Sequence, residues 1–494
     1  MKESEEDKRF FKGDTSRLLI LLLLYIVQGV PYGFLMITMP VMMKKYFTYT
    51  QLGIIAFSPL GYRIKFLFSF FVDTKYIDSI GKRRTWIVPA QIIAGCIMLF
   101  LSYNIHELLE ERAVYEITFM FTTIFLCLSI QDIAVDGWSL TIVKEQNLSY
   151  ASSSQNAGIA LGVFMSKTAY FAFNSVHFCN TYVRSWYVPL ATLVHSDADK
   201  LLGADVGLDS EGHTWAPEYA APMVDEVSFL RFWGYFIILV ALYVMFFQSE
   251  EHDRVKVKEK DQIRSVKILF KAIKGFVFNK NMLLINIFWL STLVFSTFTL
   301  RIGTVYLLEE LNYSQSKYSV ISFLTFVLEI LLSFCFSNLI YKYPFKILYI
   351  GAFLTQLFDF IFTNVILYNF NEIQSYGTTT LDLCLFTSML MNSLITTAYF
   401  SAKVAVTNQI ADPKLGSVHV TLLFSFHNLC RMVPQTYIYK LVDLYGLFLP
   451  NLIGCCLSTI LLIFMKPIVN QLETLTRHNF DNSEIYEKDK PKKE

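Results

Sequence analysis

The stretch ITFMFTTIFLCLSIQDIAVDGW, residues 117–138, is an apolar run with two carboxylates near its end. A helix needs about 20 predominantly apolar residues to cross the hydrocarbon core of a membrane, so the run predicts a membrane span. Asp132 and Asp136 are four positions apart and share one face of that helix. Each ionised carboxylate near the bilayer centre costs about 2.5–3.5 kcal/mol. Both acids are therefore expected to be paired, neutral or functional.

The composition of the whole chain agrees with a membrane protein. Of its 494 residues, 54% are hydrophobic and 17% are charged, against about 25% charged residues in soluble domains. The formal net charge of +1 leaves no domain-sized basic face, which argues against a nucleic-acid partner. The eight cysteines have no CxxC spacing and seven fall in apolar runs, so we expect no metal site and no cofactor.

Twelve apolar segments are long enough to be spans, which predicts an all-α polytopic membrane protein. They cover residues 18–42, 50–72, 86–104, 116–143, 150–173, 228–247, 282–304, 317–340, 346–368, 381–407, 415–440 and 445–465. Basic residues concentrate before the first segment, after the second, after the sixth and after the last. The positive-inside rule then places both termini in the cytosol.

A basic linker divides the twelve segments into two sets of six. The predicted units are an N-terminal tail (1–17), a first half (18–247) with a lumenal loop (174–227), a cytosolic linker (248–281), a second half (282–465) and a C-terminal tail (466–494). Two parallel six-helix halves are the plan of major facilitator transporters, which work by alternating access.

Helix-breaking and small residues inside the segments fit that plan. Pro31, Gly33 and Pro40 predict interruptions of the first helix. Gly158 and Gly162 form a GxxxG pattern in the fifth segment, which allows two helices to approach closely. We assign these two glycines a structural role.

The loop FFVDTKYIDSIGKRRTW, residues 70–86, resembles the signature loop of major facilitators. In that family the acid faces the positive end of a helix in the other half, and an arginine pairs with a carboxylate on the fourth helix. The resemblance assigns gating roles to Asp73, Arg83 and Arg84 and a structural pairing with an arginine to Asp136, for which work on the substrate or on a proton is the alternative. Asp132 lies deeper, where it either orients a lysine or carries a proton. The alternative is a basic loop that only obeys the positive-inside rule.

Cations outnumber acids in the predicted membrane segments. The cations include Arg63, Lys65, Lys167, Arg301, Lys403 and Arg431, and the acids besides Asp136 include Asp132, Glu329 and Asp359. Ionisable residues at membrane depth face a cavity or one another, so an excess of cations indicates an anionic solute. Two alternatives stay open: Lys167 snorkels to the interface, or Glu329 simply pairs with Arg301 or Lys403.

Several stretches strongly resemble the acetyl-coenzyme A transporters of the endoplasmic reticulum. They are LYIVQGVPYG (24–33), SPLGYRIKFLFSFFVDTKYIDSIGKRRTWIVPAQ (58–91), QDIAVDGWSLTIVKEQNLSYAS (131–152), HFCNTYVR (177–184) and ADPKLGSVHVTLLFSFHNL (411–429). The resemblance implies a major facilitator that moves cytosolic acetyl-CoA into the lumen for acetylation there. Its expected partners are acetyl-CoA, CoA and membrane lipid, and it is expected to act alone or as a homodimer.

The resemblance and the membrane charges together predict the site. Coenzyme A carries about four negative charges on its phosphates, which Lys and Arg side chains bind, and its adenine needs an aromatic partner. The residues predicted to bind substrate are Gln28, Tyr62, Lys65, Gln131, Asp132, Trp138, Gln155, Arg301, Lys403, Asn428 and Arg431. Asp412 joins the gating set.

Two rival functions remain at this point. A bacterial-type muropeptide permease shares the QDI motif and the basic loop, but sequences of that type have DAW where this chain has DGW. A membrane acyltransferase would use acetyl-CoA as donor and need a base such as His427.

Overall fold

The computed structural model describes residues 14–143, 147–189, 216, 219–248, 274, 278–293, 302–333, 343–410 and 416–474. Every regular element in these ranges is helical. Seven of the described helices are long and apolar enough to cross a membrane. The prediction of an all-α membrane protein is confirmed.

The helices follow the predicted segments along the chain. The first half contains α1 (Thr15–Gly33), α2 (Tyr49–Ile55), α3 (Leu60–Arg63), α4 (Phe66–Thr74), α5 (Arg84–Glu110), α6 (Val114–Ile142), α7 (Leu148–Phe164) and α8 (Glu226–Phe247). The second half contains α9 (Lys280–Leu293), α10 (Gln315–Ser333), α11 (Pro344–Phe360), α12 (Thr378–Ile410), α13 (Gly416–Tyr445) and α14 (Phe448–Leu472). The side of the membrane on which α1 begins is called the amino-terminal side, and the other is called the opposite side.

The second predicted segment, 50–72, is not one helix. It is divided into α2, α3 and α4, and the turns between them lie at 56–59 and 64–65. Pro59 has no backbone N–H to donate, and the hydroxyl of Ser58 donates to the carbonyl oxygen of Ile55 at 2.7 Å. The helical hydrogen-bond ladder is therefore interrupted at this point.

The first segment behaves differently from its prediction. Helix α1 runs through Pro31 to Gly33 and continues as a π-helical turn, Phe34–Thr38, before a last α-helical turn that contains Pro40. Pro31 and Pro40 therefore do not end this helix. The wider π-helical turn between them accommodates the places where the prolines lack a backbone N–H donor. The interruption that separates two helices lies in the second segment instead.

Helices α1 and α7 pack along the GxxxG pattern. A β-carbon at Gly158 would lie 2.6 Å from Cβ of Tyr25, and one at Gly162 would lie 2.7 Å from the backbone oxygen of Ile26 and from the backbone nitrogen of Val30. Such distances are shorter than any van der Waals contact, so only hydrogen fits. The structure gives both glycines a packing role.

The two halves are joined on the opposite side of the membrane by a set of polar contacts that we call the latch. The ammonium group of Lys44 lies 2.9 Å from the carboxylate of Glu310. The carboxylate of Asp443, at the end of α13, accepts hydrogen bonds from the backbone N–H groups of Tyr49 at 3.0 Å and Thr50 at 2.7 Å. Asp443 thus caps the first turn of α2 across the boundary between the halves.

The Asp443 cap is expected to depend on pH. Burial raises the pKa of Asp443, but hydrogen bonds from Thr50, Thr48 and Tyr49 outweigh burial, and the net pKa is lowered. A lowered pKa means that the cap stabilises the latch above the ordinary pKa of an aspartate and is lost as the pH falls through the lowered value. Asp443→Asn is expected to weaken the latch at pH values where Asp443 is ionised and to remove this dependence.

Spin labels at Glu111 and Tyr376, two exposed positions on the opposite side in different halves, would measure the separation of the halves. We expect longer distances in Asp443→Asn. Asp225→Asn is the matched control, since Asp225 caps α8 through Ser228 within one half. Equal distances in Asp443→Asn and the unsubstituted chain would contradict a closing role for the cap.

Candidate functional site

A buried ion pair lies at the turn between α3 and α4. Nζ of Lys65 is 2.7 Å from Oδ2 of Asp132 on α6. Oδ1 of Asp132 accepts a hydrogen bond of 2.6 Å from Nε2 of Gln28 on α1, and the same amide donates to the hydroxyl of Tyr62 at 2.6 Å. These four residues are called the charged cluster. Sequence reasoning singled out all four, and the structure brings them together.

The cluster is shielded from solvent, which makes the pair energetically significant. Asp132 is 4% exposed, and the side chain of Lys65 is 13% exposed. A buried charge is costly unless it is paired, and each partner supplies the opposite charge that the other needs. The interrupted second segment places Lys65 here, because the lysine occupies the residue before α4. The arrangement is a buried ammonium group paired with a buried carboxylate.

Asp136 lies one turn farther along α6 and has neutral partners. Its Oδ1 accepts hydrogen bonds from the hydroxyl of Tyr25 at 2.9 Å and from Nε2 of Gln155 at 2.8 Å. These contacts join α6 to α1 and α7. Gln155, predicted to bind substrate, thus holds Asp136 in this conformation.

The predicted pairing of Asp136 with Arg83 or Arg84 is not seen among the described contacts. Arg84 donates to the carbonyl oxygens of Met245 at 3.0 Å and Gln248 at 2.6 Å. Carbonyl groups at the C-terminal end of α8 carry partial negative charge, which a guanidinium group satisfies. Arg84 therefore joins α5 to α8 and leaves Asp136 to its two neutral donors.

Arg83 lies beside the acid without forming the predicted pair. Its guanidinium group fills the space that a side chain at Gly137 would occupy. The glycine of the DGW motif is therefore explained by the close approach of an arginine. In the sequence this glycine serves only to distinguish families. Its contact with Arg83 becomes visible only in the fold.

Gly137→Ala is expected to displace Arg83 and to lower the melting temperature. In Arg83→Ala/Gly137→Ala the methyl group meets no guanidinium, so the double variant is expected to lose less stability than the two single variants combined. Residues in contact show coupling energies of about 0.5–3 kcal/mol. Thermal unfolding of the four proteins measures this coupling.

Gly351→Ala is the matched control, because a β-carbon there would lie at 3.6 Å from Tyr399, an ordinary contact. Strict additivity of the Arg83 and Gly137 substitutions would show that the close approach carries no strain.

Two other predicted ligands on α6 are engaged in packing. Nε2 of Gln131 donates to the backbone carbonyl oxygen of Leu24 at 3.0 Å, which joins α6 to α1. Trp138 is 3% exposed and lies in the hydrophobic core. Its indole therefore has no open face for a base in this conformation. Tyr62 instead belongs to an aromatic group with Tyr32 and Phe125, whose ring centroids lie 5.9–6.4 Å apart.

Lys403 is a buried cation of the second half. It lies on α12, is 6% exposed, and its Nζ is 4.6 Å from the ring centroid of Phe400 and 4.8 Å from that of Phe424. Both distances are typical of cation–π contacts. When the sequence AVDG (134–137) is matched to AVTN (405–408), Lys403 occupies the position that Asp132 has in the first half.

Glu329 and Asp359, the two acids predicted to lie in membrane segments of the second half, have neutral partners among the described contacts. Glu329 accepts hydrogen bonds from the hydroxyl groups of Ser393 and Thr397, and no described ion pair joins it to Lys403. Asp359 accepts a hydrogen bond of 3.3 Å from Asn392. The alternative in which Glu329 neutralises Lys403 is therefore not supported.

The remaining predicted residues lie apart from the cluster or outside the described part of the chain. Asn428 is half-buried on α13, and the ammonium group of Lys167 stacks over the ring of Tyr318 at 5.3 Å. Arg301 and Asp412, and the side chains of Asp73 and Arg431, lie outside the described residues.

His427, the base required by the acyltransferase reading, is packed between aromatic rings. Its ring centroid is 5.4 Å from that of Trp289 and 6.1 Å from that of Tyr399. The Tyr399 hydroxyl lies 3.3 Å from Nε2 of His427. His427 therefore contributes to the packing of these aromatic side chains.

Solved structures of transporters resemble this fold along nearly its whole length. The nucleoside transporter NupG matches with a TM-score of 0.59 and 13% identity, over 91% of this chain and 98% of that one. The inward-open xylose transporter XylE from E. coli matches with a TM-score of 0.57 and 11% identity, over 93% and 99%. At such identities the likeness shows the fold alone, and the predicted major facilitator fold is confirmed.

Curated relatives come from two yeasts. An uncharacterized protein of Schizosaccharomyces pombe is 27% identical over 431 residues, which are 86% of this chain and 74% of that protein. An uncharacterized membrane protein of Saccharomyces cerevisiae is 31% identical over 261 residues, which are 49% of this chain and 41% of that protein.

A family model decides the assignment. The model described as acetyl-coenzyme A transporter 1 matches residues 17–283, more than half of the chain, and this range contains the whole charged cluster. Family and fold together make the protein a non-enzymatic, multi-pass membrane transporter, so the acyltransferase alternative is wrong. The chain belongs to the acetyl-coenzyme A transporter 1 family.

Proposed function

We propose that this transporter moves acetyl-CoA from the cytosol into the lumen of the endoplasmic reticulum by alternating access. The observation that supports it best is the ion pair of Lys65 and Asp132, buried at an interruption of a membrane helix. Discontinuous helices are typical of the substrate sites of transporters. An ammonium group there suits a phosphate, and the family match supplies the substrate class.

The residues around the pair suit the other parts of coenzyme A. The amides of Gln28 and Gln155 can hydrogen-bond the pantetheine arm, which carries amide groups of its own. The aromatic group of Tyr32 and Tyr62 offers ring surface for the adenine. Lys403 would hold a second phosphate from the other half, since it occupies the position that corresponds to Asp132.

The orientation follows from the basic residues. With both termini in the cytosol, the amino-terminal side is cytosolic and the latch of Lys44, Glu310 and Asp443 lies on the lumenal side. The described conformation would then be held together on the lumenal side. Release into the lumen would require these contacts to break.

Transport by purified protein in liposomes tests the proposal. Radiolabelled acetyl-CoA is supplied outside and unlabelled CoA, or no CoA, inside, at two pH values. We expect label to accumulate as intact acetyl-CoA, and CoA to compete with it. Accumulation of a labelled muropeptide in place of acetyl-CoA would favour the permease reading, and uptake of neither would refute the proposal.

A further inference from the structure

The ion pair of the charged cluster leads to a prediction about protons. We infer that the phosphate of the cargo replaces Asp132 as the partner of Lys65, and that Asp132 takes up a proton when it is displaced. This inference rests on the proposed function. It would make net transport of acetyl-CoA a proton-coupled process.

The argument begins with competition for one ammonium group. Lys65 lies 2.7 Å from Oδ2 of Asp132, and both side chains are buried. A phosphate oxygen needs the same position at Nζ to form a charge-assisted hydrogen bond. Cargo binding through Lys65 therefore breaks or stretches the ion pair.

The displaced carboxylate then lacks a cationic partner. Gln28 still donates one hydrogen bond to Asp132, but an amide does not neutralise a buried charge. Asp136, one turn away on the same helix, is held by the neutral donors Tyr25 and Gln155, and the incoming phosphate is negative as well. A proton on Asp132 removes the uncompensated charge, so the loaded site favours the protonated acid.

Among the described residues, Lys65 is the cation that forms an ion pair with Asp132, so no other described group already neutralises the displaced carboxylate. Helix α1 contributes Tyr25, and α3 contributes Tyr62, whose hydroxyl lies against Gln28. Arg63 lies at the end of α3, and Arg83, before α5, has its guanidinium group against Gly137. Helix α7 contributes an amide, and α2, with the sequence YTQLGII, contains no charged residue.

The proton balance of the cycle follows. Asp132 gains one proton from the side to which the site is open, and Lys65 exchanges a carboxylate oxygen for a phosphate oxygen without covalent change. On release the proton leaves with the cargo and the ion pair forms again. In exchange with CoA the site stays loaded in both directions, so exchange would move no net proton.

Isothermal titration of the full chain with CoA and acetyl-CoA tests the inference directly. At one pH, titrations in buffers of different ionisation enthalpy give the number of protons taken up. We expect about one proton per bound CoA and an affinity that falls about tenfold per pH unit over the pH range in which that proton is taken up. Binding without proton uptake would overturn the inference and leave the proposed function intact, whereas absence of binding would refute the proposed function itself.

Two variants identify the acid. Asp132→Asn keeps Lys65 but cannot take up a proton, so we expect CoA to bind without proton uptake and without pH dependence. Asp136→Asn is expected to retain proton uptake, and loss of uptake in this variant alone would overturn the assignment to Asp132. The titration of the unsubstituted chain is decisive even if Asp132→Asn does not fold.

Discussion

Replacing Lys65 with alanine is expected to abolish most transport and to destabilise the protein. The substitution leaves the carboxylate of Asp132 buried with the amide of Gln28 as its hydrogen-bond donor. Removing one partner of a buried ion pair costs about 3–5 kcal/mol. The loss of a charged hydrogen bond to phosphate, about 1.5–3 kcal/mol, corresponds to about 10–150-fold weaker cargo binding. Uptake into liposomes and thermal unfolding measure the two effects.

A double variant separates these effects. Lys65→Ala/Asp132→Ala removes the uncompensated charge together with the cation, so we expect its melting temperature to recover while transport stays low. Lys167→Ala is the matched control, since it removes another membrane lysine, one that stacks over Tyr318. Normal transport by Lys65→Ala at normal protein levels would refute a role for this lysine in binding the cargo.

Replacing Gly162 with leucine is expected to prevent normal packing of α1 on α7. The new side chain would begin 2.7 Å from backbone atoms of Ile26 and Val30. Backbone atoms cannot rotate away, so the helices would have to separate. Overpacking costs typically about 1–3 kcal/mol and occasionally more, and we expect this site to reach the upper end. Size-exclusion profiles and melting temperatures of the purified variant would show the loss of folded protein.

Ala160→Leu provides the matched control for this prediction. Ala160 lies on the same helix, two residues away, and is exposed. The control adds the same hydrophobic side chain without touching α1, so we expect a nearly unchanged melting temperature. Equal stability of Gly162→Leu and Ala160→Leu would mean that the close packing of α1 and α7 is not required.

The sequence predicts which segments lie in the membrane and which buried charges need an explanation. Hydropathy locates the helices because the bilayer imposes a length and a composition on each of them. It also identifies Lys65 and Asp132, because a charge at that depth has a high cost. Their mutual pairing depends on the rotation of each helix about its axis, which a list of apolar residues does not contain.

The errors have physical causes as well. The resemblance to the major facilitator loop pairs Asp136 with an arginine, but in this fold the neutral donors Tyr25 and Gln155 hold the carboxylate instead. Trp138 was assigned to the substrate because an aromatic ring suits a base, yet the core covers it. Asp443 is absent from the predicted site and gating residues, since only the folded chain brings it to the start of α2.

The interruption between α3 and α4 has a mechanical consequence. A continuous helix distributes bending along its length, whereas a series of short helices concentrates bending in the turns between them. Helix α13 packs against α2, α3 and α4. A tilt of the second half would therefore bend the segment at these turns. Lys65 lies in one of them and therefore occupies one of the two points at which the segment bends most easily. The position of its ammonium group then changes as the segment bends. Bending would thereby change the distance from Lys65 to a bound anion, and with it the strength of their contact.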